Sequence, residues 1–406
     1  MNGTGAYPRN VRLYPWFRFF QGLIFWQAIW FLYFQSALSG AEAILLYAVF
    51  DVSATALEVP LGYMSDRIGR RITLILSGIS GAVAALMMAL GSSFEIFALA
   101  NILLGAWAAL NSGTDSAFLY ESLVADKRED EIEAQELRAW RYSFAALAVS
   151  AATGGVMASY SGPLPYFAVT TALIVSSFIA YMFVEVAPSG KTQQGANLSS
   201  TLQAITSTVK KPVLMWLFVL SLLMYIYSHL PFVFGQPFIL EALGAQGLDA
   251  EAPTISGMVT AIMMVLSVVV SLFALKLRRA LGLPLILLVA FSMQVALTGV
   301  LAITNSVIAI AFLFLRMVPD SLSRPFVLAR VQPELQDATR ATYLSLQSFC
   351  GRLIFAATLY LAAGATSREN PMVYAEIRPI LGWYVIIGIV VLLGLAVAAT
   401  RVNLEK

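Results

Sequence analysis

Polar residues are scarce along this chain and fall in bursts. Between the bursts run apolar stretches long enough to cross a bilayer as helix, which takes about 18–20 residues. Twelve such stretches can be marked, at 14–37, 42–64, 72–91, 95–121, 139–160, 164–186, 212–236, 254–275, 283–303, 307–329, 340–365 and 377–400. The most polar interruption, 187–211, runs from Pro188, Ser189, Gly190 and Lys191 to Lys210 and Lys211 and leaves six stretches on either side. The pattern predicts an all-α integral membrane protein of 12 transmembrane helices. It predicts an N-terminal six-helix bundle over 1–186, a cytoplasmic linker over 187–211 and a C-terminal six-helix bundle over 212–406.

Composition narrows the class. Of 406 residues, 59% are hydrophobic and only 12% charged, too few charges to keep a surface of this size in water. Where the charges sit matters more than their sum. Even-numbered loops carry Arg67, Arg70, Arg71; Lys127, Arg128, Arg138, Arg141; Lys191, Lys210, Lys211; Lys276, Arg278, Arg279; and Arg330, Arg340. Odd-numbered loops carry no Lys or Arg until the last, with Arg368 and Arg378. The positive-inside rule then puts the even loops and both termini in the cytoplasm, in a bacterial inner membrane. The first stretch follows Arg9 and Arg12, is aromatic, and lacks a small-residue cleavage site, so it reads as a membrane helix and not a signal peptide. The single cysteine, Cys350, excludes an internal disulfide and reads as a buried apolar side chain.

One burst has structure of its own. Residues 58–71 read EVPLGYMSDRIGRR. Gly62 lets a neighbouring helix approach, Asp66 sits at the membrane edge ready to pair, and Gly69 permits a tight turn. Arg67, Arg70 and Arg71 hold the loop to the cytoplasmic face. Together with Glu121, near the same edge, they form a candidate conformational latch. A second basic burst, LKLRRALG at 275–282, follows span eight as the first follows span two, so the halves are expected to be pseudo-symmetric repeats.

The pattern G-x-x-x-D-R-x-G-R-R on Gly62, Asp66, Arg67, Gly69, Arg70 and Arg71 resembles the signature loop of the major facilitator superfamily. EVPLG (58–62), SGTDSAFLYESL (112–123) and TRATYLSLQS (339–348) are similar to a poorly characterised prokaryotic branch of it. The resemblance implies twelve helices, alternating access and transport of a small solute. Two patterns of proton-driven exporters are missing. Asn101 stands where an arginine is usual, four residues before Gly105, and Ala151 stands where a proline is usual before Gly154 and Gly155.

Ionisable groups inside a membrane cost about 2.5–3.5 kcal/mol each on insertion scales and therefore need a reason. Asp51 and Glu58 are seven residues apart on span two and share a helix face. Asp115 lies at similar depth in span four, near Asn111, Ser112 and Thr114, and no cation is expected at the depth of these acids. In the second half Arg316 and Asp320 are spaced as a helical pair, Arg324 continues the stripe, and Arg352 is mid-depth on span eleven. His229, the only histidine, stands beside Tyr225, Tyr227 and Pro231. These groups, Asp51, Glu58, Asp115, His229, Arg316, Asp320 and Arg352, are the candidates for proton coupling or substrate binding, against a reading as fixed structural pairs. Trp26, Trp30 and Tyr33 follow a four-then-three spacing and so share one face, and with Tyr225, Tyr227 and Gln236 are candidate cavity-lining residues. Gln21 and Gln27 are further polar groups of span one.

The stretch 126–141 reads as a solvated cytoplasmic helix. No Walker loop supports ATP drive, no nucleophile–base arrangement points to an enzyme, and no Cys/His cluster points to a metal. Cofactors and nucleic acid are not expected. The expected partners are a small-molecule substrate, protons and the lipid bilayer, with the chain acting as a monomer. The expected function is secondary active transport of a small amphiphilic organic solute, as proton-coupled efflux. The alternative is an importer or facilitator of an anionic metabolite or metal chelate, with Arg316 and Arg352 reading its charge.

Overall fold

A computed structural model describes residues 6–186, 211–331, 337–367 and 371–404; the expected linker lies, except for Lys211, outside the described residues. Among the described residues there is helix and no strand. The first helices are α1 (Ala6–Gly22), α2 (Trp30–Gln35), α3 (Gly40–Ile68), α4 (Arg70–Leu90), α5 (Phe94–Asn111), α6 (Thr114–Ala125), α7 (Ile132–Tyr160) and α8 (Leu164–Met182). They are followed by α9 (Pro212–Gly244), α10 (Ala252–Leu281), α11 (Leu283–Ile303), α12 (Ile310–Leu313), α13 (Val318–Val331), α14 (Asp337–Gly364) and α15 (Tyr374–Ala399).

Among the described residues ten helical segments, α5 and α6 counted together, are long and apolar enough to cross a membrane. The remaining two of the twelve spans, one and ten, are assembled from shorter pieces. The chain divides into two compact units. One comprises Met1–Leu38, Leu45–Gln193 and Ser256–Met258; the other comprises Ser39–Ile44, Gln194–Ile255 and Val259–Lys406.

In the first unit α4 packs against α5 and α8, and α1 against α7 and α8. Between membrane helices there is little hydrophobic drive, so close packing of small residues carries association. The inner face of α4 shows this, with Ser77, Gly78, Gly81, Ala82 and Ala85 all buried. Towards one end the unit closes on an aromatic cluster in which the Phe183 ring lies 4.5 Å from Phe118 and 5.5 Å from Phe17.

In the second unit α9 packs against α11, α14 and α15. Its polar tips end on backbone carbonyls: Trp216 Nε1 donates to Leu395 O at 3.0 Å, and on α14 Tyr343 Oη donates to Leu214 O at 2.9 Å. α10 and α15 leave large apolar side chains outside, among them Leu272, Phe273, Trp383 and Val390, which suits a face against lipid tails.

Span one was expected as a continuous helix. It runs as helix to Gly22, passes through a 3₁₀ turn at Phe25–Ala28 and resumes at Trp30. Gly154 of α7 fits this break, since a Cβ there would collide with the Phe25 carbonyl oxygen. A glycine of span five thus seats the broken segment of span one. Span ten, also expected whole, has α12 and α13 separated by turns at 314–317. Pro319 explains the position: it has no amide to give the carbonyl four residues back, and its ring crowds that turn. The backbone there closes i→i−3 bonds instead, including Arg316 N to Leu313 O at 3.1 Å.

Candidate functional site

The polar centre of the first unit forms at an interruption in span four. α5 ends as Ser112 leaves helical geometry at ψ 109°, and Gly113 takes φ +72°, a left-handed conformation that glycine adopts without strain. α6 restarts at Thr114, so Asp115 stands in a first helical turn, where unpaired amides favour a negative charge. Asp115 is 7% exposed. Its Oδ1 accepts from Ser116 N at 2.7 Å, and its Oδ2 forms an ion pair with Arg18 of α1.

The expectation that no cation reaches this depth is therefore corrected for Asp115. Sequence reasoning passed over Arg18 because span one was taken to begin at 14. The helix starts at Ala6, and Arg18 falls well inside it. The charge-in-membrane test that flagged Arg316 would have flagged Arg18 as well.

The same interruption gathers groups from three more spans. Ser112 Oγ donates to Glu58 Oε1 at 2.9 Å, and the hydroxyls of Ser65 and Thr114 are 3.2 Å apart. Gln21 donates to Asn111 Oδ1 at 2.6 Å, and Asn111 donates to Ser77 Oγ at 2.6 Å. Arg18 Nε lies 3.4 Å from Ser143 Oγ of α7. Asp51 is 2% exposed on the same helix as Glu58. Asn101, where an exporter arginine would stand, donates to Phe97 O at 2.9 Å in its own helix.

The loop between α3 and α4 turns at Gly69, with φ +95°, a conformation L side chains rarely adopt. Arg70 is its centre, pairing with Asp66 at 2.8 Å and Glu121 at 3.5 Å and donating to Ser65 Oγ at 3.0 Å. Arg71 donates through Nη2 to Tyr181 O at 2.7 Å, and its amide donates to Glu185 Oε2 at 3.1 Å. Glu185 went unremarked in the sequence, although it is an acid at the end of span six, facing a loop full of arginine. One expectation changes here: the space over Gly62 is open, with no helix close against it. Asp66 is exposed and pairs with Arg70 across the turn. Arg67 lies over the Tyr63 ring of its own helix, at 4.5 Å.

In the second unit Arg316 stands in the turn before α13, so it does not share a helix with Asp320 and the predicted helical spacing is not realised. Its Nε donates to Ser228 O at 3.1 Å, and its guanidinium lies 4.8 Å over the Phe232 ring. Asp320, in the first turn of α13, accepts from Gln294 Nε2 at 3.2 Å. His229 Nδ1 donates to Tyr225 O at 2.7 Å, and its ring stacks on Tyr225 at 4.1 Å. Arg352 is half-buried, and its Nε is enclosed with no acceptor among the described residues.

The aromatic candidates divide. The break in span one puts Trp26 in the 3₁₀ turn and Trp30 at the start of α2, so the one-face stripe does not exist. Trp26 packs with Phe25 and Trp107 on Leu173, Trp30 is 3% exposed, and Tyr33 Oη donates to Met88 O at 2.8 Å. These rings serve packing. Tyr227 is also core, 2% exposed with its hydroxyl on Tyr384 O at 2.5 Å. Tyr225, two residues away and so on the other side of α9, belongs with His229. Gln236 is buried, 7% exposed.

The sequence pattern of the Major Facilitator Superfamily matches residues 16–359. A mutant form of the nucleoside transporter NupG superposes with a TM-score of 0.77 at 14% identity, over 96% of this chain and 100% of that one. The peptide transporter POT in complex with sulfate gives 0.71 at 13% identity, over 98% and 96%. A D-xylose-proton symporter gives 0.65 at 12%, over 94% and 96%. At such identities the likeness is one of fold. No curated protein matches the sequence.

Proposed function

The chain belongs to the major facilitator superfamily of multi-pass membrane transporters, and we propose that it moves a small organic solute by alternating access coupled to protons, with Asp115 and Arg18 as the coupling pair. One observation carries this reading. A buried carboxylate at the restart of a broken helix is held by a single guanidinium from another span. An approaching cation favours the ionised carboxylate, and its departure in a low-dielectric site favours the protonated one. A cycle that separates Arg18 from Asp115 on one side of the membrane and reunites them on the other would carry a proton across. Each pH unit is then worth about 1.4 kcal/mol per proton, and each 100 mV about 2.3 kcal/mol per charge. Glu58, on the other side of the interruption through Ser112, is the second group in this reading.

The basic even loops support a cytoplasmic Gly69 turn, in an inner membrane, for this reading. The polar network from Thr114 through Ser65 to Arg70 links the coupling pair to that turn. The aromatic stripe that suggested export of amphiphiles is used in packing, so direction is open to either sense. Proton entry can drive solute exit, or solute entry as in the neighbour named a D-xylose-proton symporter. Inverted and right-side-out vesicles with an imposed pH gradient separate the two. A broad compound panel should yield pH-driven flux that Asp115→Asn uncouples. Undiminished pH dependence in Asp115→Asn would remove the pair from the mechanism.

A further inference from the structure

We propose that the second unit holds an anionic phospholipid in a groove between α11 and α15, with Arg378 on the headgroup phosphate and the apolar floor on an acyl chain. The site stands apart from the coupling pair and does not rest on the coupling or the direction of transport.

The first argument is shape. α11 and α15 pack along each other. Gly299, Ala302 and Ile303 of α11 and Arg378, Gly382 and Val385 of α15 line a groove of about 320 Å³, with Pro379 beside Arg378. Two glycines keep it open. A Cβ on Gly382 would meet nothing within 4 Å, and one on Gly299 would meet only Val385 Cγ2, at 3.8 Å. The first half of the chain is built differently at the matching place. α4 and α11 are each 21 residues long, and each follows a glycine of positive φ, Gly69 at +95° and Gly282 at +80°. Counted from those glycines, Leu86 stands where α11 has Gly299.

The second argument is the medium. Ile303 on the groove wall is 79% exposed, and Trp383 and Ile386, next to Gly382 and Val385, are exposed as well. Apolar side chains of this size turned outward on membrane helices meet lipid tails. A hollow among them is filled by hydrocarbon, because an unfilled one forfeits dispersion contacts along its lining. Val385 is two turns of helix beyond Arg378, about 10 Å along the axis. The groove therefore leads from a charged end to an apolar one, as a phospholipid does.

The third argument is charge. Odd-numbered loops carry no Lys or Arg until the last, and Arg378 is one of the two exceptions. Topology alone gives no reason for a cation there. Arg378 is exposed and takes part in none of the ion pairs among the described residues. The acid two residues before it is used elsewhere: Glu376 accepts from Ser367 N at 2.7 Å and from Val373 N at 3.3 Å. A guanidinium matches phosphate by its planar row of donors. An uncharged lipid would leave that cation unused, and a soluble anion would leave the groove empty. A lipid with a negative headgroup uses both.

The test is native mass spectrometry of the full chain in detergent, titrated with phosphatidylglycerol and with phosphatidylcholine. The wild type should retain one phosphatidylglycerol about fivefold better than phosphatidylcholine, the preference that one arginine supplies beside an anionic headgroup. Arg378→Gln should erase the preference and leave both lipids bound at the level of phosphatidylcholine. Gly299→Leu and Gly382→Leu fill the groove and should lower retention of both lipids. Should Gly299→Leu not fold, Gly382→Leu carries that arm, since its Cβ enters open space.

Three results would overturn the site: equal retention of the two lipids, a preference that survives Arg378→Gln, or retention unchanged by filling the groove. Glycerol phosphate that displaces the lipid at equal concentration would assign Arg378 to a soluble anion and overturn it too. So would a dimer that both leucine variants dissolve, because a second copy of the chain would then cover the groove.

Discussion

Spans four and ten occupy equivalent places in the two halves and are interrupted by different chemistry. Span four breaks at a glycine in a left-handed conformation, and span ten breaks ahead of a proline. Each then restarts with an aspartate in the first turn, Asp115 in one and Asp320 in the other. Their partners differ. Asp115 has a guanidinium of its own unit against it; Asp320 accepts from the amide of Gln294. A repeated backbone device thus holds its aspartate by an ion pair with Arg18 in one unit and by a hydrogen bond from Gln294 in the other.

The sharpest way to break this comparison is to remove each aspartate's partner. Arg18→Gln should strand a buried carboxylate and cost about 3–5 kcal/mol. Most of that should return in the double variant Arg18→Gln/Asp115→Asn. Gln294→Leu removes one hydrogen bond to a charged group and should cost about 1.5–3 kcal/mol. Equal losses of unfolding temperature would mean that the two sites do not differ as described.

The two breaks should also respond differently to repair. Gly113→Ala places a Cβ in a left-handed conformation and should cost about 1–2 kcal/mol, although the space around it is open. Pro319→Ala restores an amide and should be neutral or stabilising, because span ten can then wind through the turn. Thermal unfolding of both variants checks the order.

The smallest effect lies outside the membrane. Arg128 holds Glu131 down at about 2, with help from Gln135. A carboxylate with a lowered folded value contributes stability above its ordinary value, and the contribution fades as pH falls towards 2. The difference in unfolding temperature between wild type and Arg128→Gln should be constant from about pH 5 to 8 and shrink below about 4.5. A difference that grows on acidification would contradict the pairing.

The twelve spans and the signature loop were legible because apolar run length and loop charge are one-dimensional properties. The Arg70 centre could be read from its motif for the same reason. What the residues alone did not disclose were the breaks. Nothing in the run of Phe25 to Tyr33 marks a change of helical phase, so a stripe was read where packed core stands. The cause sits in another helix, at Gly154. Pro319 was visible, yet it was read as part of a continuous span, and the Arg316–Asp320 pairing followed from that. Tyr225 and Tyr227 looked equivalent in sequence, but a helix turns them to different neighbours.

The pairing of Arg18 with Asp115 also bears on how the protein is made. The partners are 97 positions apart, so the cation reaches the membrane well before its acid is synthesised. Span one carries this cation in a segment broken into α1, a 3₁₀ turn and α2. We expect the translocon to retain this first segment until span four emerges. Glycosylation mapping of nascent chains stopped before and after residue 125 would register the handover, and full integration of the shorter chain would refute it.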